Sequence, residues 1–232
     1  MALILNIDTA LDTAYLSLAR DGQVLASDFN DAEKDHAAWL HPAIAHLITQ
    51  SGFQIEQLDA VGIILGPGSY TGLRIGLAAA KGLCYALRIP LIAEVSLKTM
   101  ALSAILFVRS SENGHFPTDL AICPMIDARR MEVFTAIYDC ELNELMTPRS
   151  MLLTRRSLEE ELKRQKMLFL GNGSNKFQQL CQNSGAIFKK IPVNPIALAS
   201  LTYANFIGNN FAELAYTEPL YLKEFFTKQT RS

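Results

Sequence analysis

Cysteine is scarce in this chain of 232 residues, which contains four cysteines and no Cys-x-x-Cys pair. Structural zinc sites and redox dithiols usually need such pairs, so the sequence predicts neither. We expect Cys84, Cys123, Cys140 and Cys181 to be buried free thiols in a reducing compartment, with a catalytic thiol as the weaker alternative.

Long apolar runs are also missing. The longest, residues 101–108, contains Ser103 and is much shorter than the roughly 20 residues that a membrane span needs. No basic leader opens the sequence, and Asp8 and Asp12 interrupt its first apolar stretch, so no secretory signal is expected. The sequence therefore predicts a soluble, cytoplasmic protein that does not enter a membrane.

Neither sign of charge dominates the chain. The formal net charge is -2 and both signs are scattered, which argues against a broad positive field for binding nucleic acid phosphates. Any contact with nucleic acid is therefore expected mainly through a partner. Half of the residues are hydrophobic, enough for one large core or two small ones, and we predict two.

The first hundred residues alternate between strand and helix patterns. Three strands are predicted first, then a helix, a strand, a second helix and a strand. Their predicted bounds are 3–7, 14–19, 23–29, 35–50, 58–65, 69–87 and 91–93. Ser69 is the predicted N-cap of the second helix.

The second half begins as the first half does. When Ile7-Asp8 is set over Ile126-Asp127, Tyr15 falls over Phe134 with no gap. A repeated unit of this kind predicts a fold that is built twice, although chance similarity of two apolar hairpins remains the alternative.

The polar residues 110–118 form the predicted linker between lobes at 1–109 and 119–232. The second lobe should contain a helix near 157–166, a strand at 167–170 and a final helix near 196–206 that can pack back on the first lobe. The predicted class is α/β, with mixed sheets and flanking helices.

A glycine-rich run, Gly66 to Gly72, lies where a strand meets a helix N-terminus. Such a junction can bind an anion, here through Gly68 and Ser69. Pro67 has no N–H to donate, however, and no lysine stands at the spacing of a Walker loop. A tight turn with a helix cap is therefore the favoured interpretation.

Small residues follow one face of the same predicted helix, at Gly72, Gly76, Ala79 and Ala80. Glycine inside a helix costs about 0.5–1 kcal/mol relative to alanine, so something should pack very closely there. The partner could be the chain's own sheet or neighbouring helix, or a helix of another subunit. A contact with a helix of another subunit predicts that Gly76→Leu weakens association more than it lowers the melting temperature.

Candidate catalytic groups are few. His36, His41 and His46 are spaced by five residues, which scatters them around a helix, so they should face solvent or cap it and not bind metal. No Gly-x-Ser-x-Gly nucleophile motif occurs. Asp8 and Asp127 could hold a hydrated magnesium ion between the lobes, but capping of the two opening turns is favoured.

The motifs together resemble the TsaB family, which belongs to a glycoprotease-like group. They are Ile7-Asp8-Thr9, the run from Gly66 to Gly76, and the late segment Pro219-Leu220-Tyr221-Leu222. The resemblance implies a duplicated actin-like (ASKHA) fold. It also implies a non-catalytic role in the transfer of a threonylcarbamoyl group to the adenosine beside the anticodon of ANN-reading tRNAs.

The sequence departs from the enzymes of that wider group. Ser96 and Met100 stand near the positions of the metal-binding His-x-x-x-His of TsaD, and neither is a usual ligand. Ala10 replaces a phosphate-loop glycine, and residues 171–174 only partly match an adenosine loop. No catalytic residue, metal or cofactor is therefore expected. The alternative is an ATP-dependent small-molecule kinase that uses Asp8, Gly68, Ser69 and Asp127.

The resemblance also implies partners. It predicts binding to TsaD, contact with TsaE through that pair, a homodimer when the chain is alone, and access to tRNA through the complex. The implied partner surface comprises the helices predicted at 35–50 and 69–87. Its candidate residues are Trp39, Ala43, His46, Gly72, Gly76, Ala79 and Ala80.

Overall fold

The computed structural model describes residues 1–31, 35–111 and 115–223. The described strands are β1 (Leu3–Asp8), β2 (Ala14–Arg20), β3 (Gln23–Asn30), β4 (Ala60–Gly66), β5 (Leu91–Val95), β6 (Leu120–Asp127), β7 (Glu132–Tyr138), β8 (Glu144–Leu152), β9 (Lys166–Leu170) and β10 (Ala186–Phe188). The described helices are α1 (His36–Gln50), α2 (Tyr70–Leu87), α3 (Ser96–Ser111), α4 (Glu159–Arg164), α5 (Ser174–Gln178) and α6 (Pro195–Ile207). The predicted order of the first seven elements is correct.

Two five-stranded sheets have the same topology. The first has the order β3-β2-β1-β4-β5 and the second β8-β7-β6-β9-β10. In each sheet the first three strands in the chain are antiparallel, and the last two are parallel to the first. The predicted duplication and the mixed α/β class are therefore confirmed.

The register of the second hairpin corrects the ungapped alignment. Asp8 pairs with Tyr15 across the first hairpin, whereas Asp127 pairs with Val133 across the second. The second turn is thus one residue shorter, and Tyr15 corresponds to Val133 and not to Phe134. A one-residue shift exchanges the two faces of a strand, so the ungapped alignment was wrong about which side chains are equivalent.

The two lobes exchange helices. Helix α3 follows the first sheet in the chain, but its apolar residues pack in a core with β6, β7 and β9 of the second sheet. Helix α6 comes near the end of the chain and packs on the first sheet, where the hydroxyl of Thr202 donates to Oδ1 of Asn6 at 2.7 Å. A boundary at residue 109 therefore separates the two sheets in the sequence, but each sheet packs against a helix from the other side of that boundary.

Helix α3 was not among the predicted elements, because its polar and apolar residues do not separate onto two faces. Nine of its residues are buried, including Ser96, Thr99 and Ser103. Its sequence therefore shows no clear helical periodicity of apolar residues. No helix in the described part of the chain is long and apolar enough to cross a membrane.

The predicted linker overlaps this helix. Residues 110 and 111 belong to α3, residues 115–117 have no regular structure, and residues 112–114 lie outside the described residues. Strands β8 and β10 were also missed. Strand β8 is largely exposed, so burial gives it no clear apolar alternation.

Helix α2 packs very closely on the turn between β1 and β2. A Cβ atom at Gly72 would overlap the carbonyl oxygen of Thr9, and one at Gly76 would overlap the Thr9 hydroxyl. That hydroxyl donates to the carbonyl oxygen of Gly72 at 2.7 Å. The predicted close packing thus involves the chain's own first lobe, which buries Gly72 and Gly76.

Two of the three glycines of α2, Gly76 and Gly82, should respond oppositely to alanine. We expect Gly76→Ala to lower the free energy of unfolding by about 1–3 kcal/mol, because the new methyl group meets Thr9 and Ile63. Gly82→Ala is the matched control, since nothing lies within 4 Å of its Cβ position. It should raise the free energy of unfolding by about 0.5–1 kcal/mol through helix propensity. Urea unfolding of both variants checks this, and equal effects would contradict the packing argument.

Candidate functional site

The two opening turns use the same carboxylate cap. Oδ1 of Asp8 accepts a hydrogen bond from the N–H of Ala10 at 3.0 Å. Oδ1 of Asp127 accepts from the N–H of Arg129 at 2.6 Å. The favoured prediction, that both aspartates cap their turns, is therefore confirmed.

The two carboxylates differ in their surroundings. Burial raises the pKa of Asp8 to about 6, although the Ala10 hydrogen bond and the nearby His36 ring act to lower it. Burial also acts to raise the pKa of Asp127, but hydrogen bonds from Lys176 and from the Arg129 N–H lower it overall. The Lys176 ammonium lies 2.7 Å from Oδ1 of Asp127. A cation between the lobes would have to displace that ammonium.

The N-terminus of α2 is engaged by the chain itself. Ser69 caps the helix as predicted, since its hydroxyl accepts from the N–H of Gly72 at 3.3 Å. The N–H of Ser69 donates to the carbonyl oxygen of Ala10 at 2.7 Å, and Gly68 leaves room for that carbonyl. A phosphate at this junction would therefore compete with the β1–β2 turn for a donor.

A cavity of about 800 Å³ lies between the lobes. Leu11, Asp12 and Thr13 of the first turn line one wall, and residues of the 171–178 segment and the 188–193 segment line the others. The loop at 171–174, which only partly matches an adenosine loop, thus does reach this cavity. Among the residues described, no group of three or more His, Cys, Asp or Glu side chains could hold a metal ion there or elsewhere.

The two residues at the approximate metal-ligand positions have structural contacts. The hydroxyl of Ser96 donates to the carbonyl oxygen of Pro67 at 2.6 Å. The Met100 side chain lies against Gly171 on the cavity wall. The Met100 side chain therefore helps to join the lobes, whereas the Ser96 contact lies within the first lobe.

The histidines and cysteines follow the predictions only in part. His41 and His46 are exposed as expected, but His36 is buried, and its Nε2 lies 3.3 Å from the Leu11 carbonyl oxygen. Burial raises the pKa of the Cys84 and Cys123 thiols to about 11 and about 12, which makes both unreactive. Cys140 and Cys181 are half-buried, so the prediction of four buried thiols was wrong for these two.

A groove of about 390 Å³, lined by no Asp, Glu, Lys or Arg side chain, runs between α1 and α2. Apart from its histidines, α1 contains no ionisable side chain over its full length. The groove is lined by Ala37, His41, Ile75, Ala78, Ala79, Gly82 and Leu83. Its small side chains leave both helix backbones accessible to another helix.

The structure rearranges the predicted partner surface. Ala43, Ala79 and Ala80 are buried in the first core and Gly72 and Gly76 are buried as well, so these five candidate residues offer little surface to a partner. Ala79 forms part of the groove wall, Trp39 is half-buried and His46 is exposed. Sequence reasoning missed a second small-residue stripe at Ala78, Gly82 and Ala86, which is exposed. Its four-residue spacing was the available signal.

Comparison with known proteins identifies the family. A family model described as TsaD, tRNA N6-adenosine threonylcarbamoyltransferase, matches residues 30–217. The tRNA threonylcarbamoyladenosine biosynthesis protein TsaB of Bacillus subtilis is 33% identical over 183 residues, which are 78% of this chain and 75% of the relative. The chain belongs to the TsaB family. The protein of the same name from Escherichia coli is 29% identical over 95% of this chain and 94% of its own.

Solved structures show the same architecture. A Pseudomonas aeruginosa protein, described as uncharacterized with similarity to peptidase YEAZ, superposes with a TM-score of 0.80 at 22% identity. YeaZ from the same organism gives a TM-score of 0.79 at 24% identity. Both matches cover 96% of this chain and 100% of the other. The predicted family and the duplicated fold are confirmed.

The pKa of Asp8 gives a pH dependence of stability. Because the folded state holds the Asp8 proton more tightly than the unfolded chain, whose ordinary pKa is 3.8, the free energy of unfolding should fall as pH rises from about 4 to above 6. Asp8→Asn can still accept the Ala10 hydrogen bond and should lack this fall. At neutral pH it should be the more stable by up to about 3 kcal/mol. Urea unfolding at several pH values checks this.

Asp127→Asn is the control for that experiment. In the wild type the pKa of Asp127 is lowered, so the Asp127 carboxylate stabilises the fold at pH values above the pKa that it has in the unfolded chain. This contribution is lost as pH falls. This variant should therefore be less stable than the wild type at neutral pH. Parallel pH profiles for the wild type and Asp8→Asn would contradict the burial argument.

Proposed function

We propose that this TsaB chain acts in the biosynthesis of tRNA threonylcarbamoyladenosine as a non-catalytic subunit that binds TsaD and stabilises its active conformation. The names of its relatives support the pathway. The exposed α1–α2 groove, which is lined by no Asp, Glu, Lys or Arg side chain, is the observation that carries the binding role. On this proposal the chain works in the cytoplasm, reaches TsaE through the TsaD pair and forms a homodimer through the same groove when alone.

The side chains of the groove fit an approaching helix. Ala37, Ala78 and Gly82 have little or no side-chain volume, so a partner helix can come close to both backbones. Ile75 and Leu83 supply apolar area at its sides. Burying such a surface desolvates no Asp, Glu, Lys or Arg side chain, which favours a stable protein contact.

The candidate catalytic groups support the non-catalytic part of the proposal. Ser69 caps α2, and Ser174 donates to the carbonyl oxygen of Gly171 at 2.7 Å. Neither serine has a histidine among its hydrogen-bond partners in the described residues. Asp127 is paired with Lys176 and Asp8 is enclosed. A peptidase mechanism therefore finds no activated nucleophile in the described part of the chain.

Reconstitution tests the role of the subunit. The chain alone should not modify tRNA, and it should restore modification when mixed with TsaD, TsaE, the threonylcarbamoyl-adenylate donor and tRNA. Lack of rescue would contradict the proposal. A calorimetric titration of the isolated chain with Mg-ATP tests the kinase alternative. Stoichiometric binding with micromolar affinity would favour that alternative instead.

A charge placed in the groove should prevent docking without unfolding the chain. Ala78 is exposed, so Ala78→Glu should leave the melting temperature nearly unchanged. It should weaken TsaD binding about 100-fold, because the carboxylate would be buried without a partner. Ala204→Glu, at an exposed alanine of α6, is the matched control and should bind normally. Analytical ultracentrifugation or calorimetry measures both, and equal affinity of the two variants would exclude this groove.

A further inference from the structure

The segment near the C-terminus joins the two lobes across one face. The N–H of Leu220 donates to the carbonyl oxygen of Leu65 at the end of β4, at 2.8 Å. Three residues later, Lys223 forms an ion pair with Glu132 at the start of β7. The helix N-terminus of the first lobe and the opening turn of the second lobe therefore lie on the same side of the molecule.

An aromatic and guanidinium cluster forms the first-lobe part of this face. The rings of Tyr70 and Tyr221 have centroids 5.4 Å apart. The Arg74 guanidinium carbon lies 4.1 Å from the Tyr70 ring centroid, and its Nε donates to the Tyr221 hydroxyl at 3.0 Å. Tyr70 is 40% exposed and Tyr221 is 38% exposed. Parts of both rings are therefore accessible to a ligand.

Two adjacent arginines form the second-lobe part. Arg129 and Arg130 have φ values of +67° and +48°, and among the described residues they are the only adjacent non-glycine pair with positive φ. Glycine and asparagine adopt this left-handed conformation at lower cost. Both arginines are exposed, and neither side chain forms an ion pair within the described ranges. The turn therefore presents two guanidiniums at the expense of local conformational preference.

The face carries an excess of positive charge on a chain of net charge -2. Its exposed cations and rings, here called the basic face, are Tyr70, Arg74, Arg129, Arg130, Tyr221 and Lys223. Lys176 borders it and pairs with Asp127. The cations are Arg74, Arg129, Arg130, Lys176 and Lys223, and the acids are Asp127, Glu132 and the neighbouring Glu218. The described cations of this face therefore outnumber its acids by two. Local charge thus departs from the average that the whole sequence suggests.

We propose that the basic face is an RNA contact site, which holds phosphates with its guanidiniums and stacks an unpaired base on its tyrosines. This combination of planar cations and accessible rings matches single-stranded or looped RNA. An acidic protein surface would also suit the cations, but it would not use the ring faces. The identity of the RNA as tRNA rests on the proposed function. Direct contact would supplement the access to tRNA that TsaD gives.

The decisive variant is Arg129→Asn/Arg130→Gly. It removes both guanidiniums and supplies residues that favour positive φ, so the melting temperature should rise. In the complex with TsaD, affinity for labelled tRNA should fall about tenfold near physiological salt, and the slope of log affinity against log salt should fall by about 2. Fluorescence anisotropy over a potassium chloride series measures both. TsaD binding should not change.

Arg164→Gln/Lys166→Gln is the control, because these two exposed cations carry the same charge and Lys166 pairs with Leu120 at the start of β6, the opposite end of that strand from the Arg129-Arg130 turn. Its tRNA affinity should stay within about twofold of the wild type. Equal loss in both double variants, or no loss in the first, would overturn the proposal. Loss of TsaD binding in the first variant would show a protein contact and would also overturn it.

The isolated full chain separates this proposal from the proposed function. If no TsaD complex forms, the binding-subunit role fails, and anisotropy with the chain alone then decides the RNA site. Salt-sensitive binding that Arg129→Asn/Arg130→Gly removes would support the basic face. Absence of measurable RNA binding by the wild-type chain in that case would overturn it.

Discussion

The contact between the β1–β2 turn and α2 is the constraint on which much of the first lobe depends. Thr9 and Ala10 bond to Gly72 and Ser69, and glycine is needed wherever their backbone meets the helix. This contact turns Gly72 and Gly76 of α2 toward the core and the second small-residue stripe, Ala78, Gly82 and Ala86, toward solvent. The same contact occupies the Ser69 N–H at the N-terminus of α2, which reduces the capacity of that terminus to bind an anion. One local interaction therefore limits anion binding and also leaves the α1–α2 groove open to another helix.

Strand order and the capped turns could be predicted because they depend on local patterns. Apolar runs bounded by turn residues indicated the strands, and Ser69 stood where a helix cap is needed. Helix α3 could not be predicted in this way, since its burial between two lobes includes polar residues such as Ser103, which obscure the apolar periodicity. The one-residue difference between the hairpins also depends on pairing, which sequence alignment without a gap cannot show.

The candidate surfaces were predicted less well, for a physical reason. Sequence shows that small residues recur along α2, but the rotation of the helix about its axis decides which stripe faces out. That rotation is set by Thr9, which is 63 residues from Gly72 in the chain. The basic face likewise depends on contacts between distant segments, such as Arg74 with Tyr221. Whole-chain charge averages over such clusters and conceals them.

The exchange of α3 and α6 between the lobes has a consequence for synthesis. A ribosome releases the strands of the first sheet early, but α6, which covers one face of that sheet, follows all the described strands of both sheets in the chain. Until α6 emerges, part of the first lobe lies bare, and α3 cannot pack until β6, β7 and β9 have been made. Each half thus matures only after segments of the other half have emerged, which ties the lobes into one cooperative unit although their topology is duplicated.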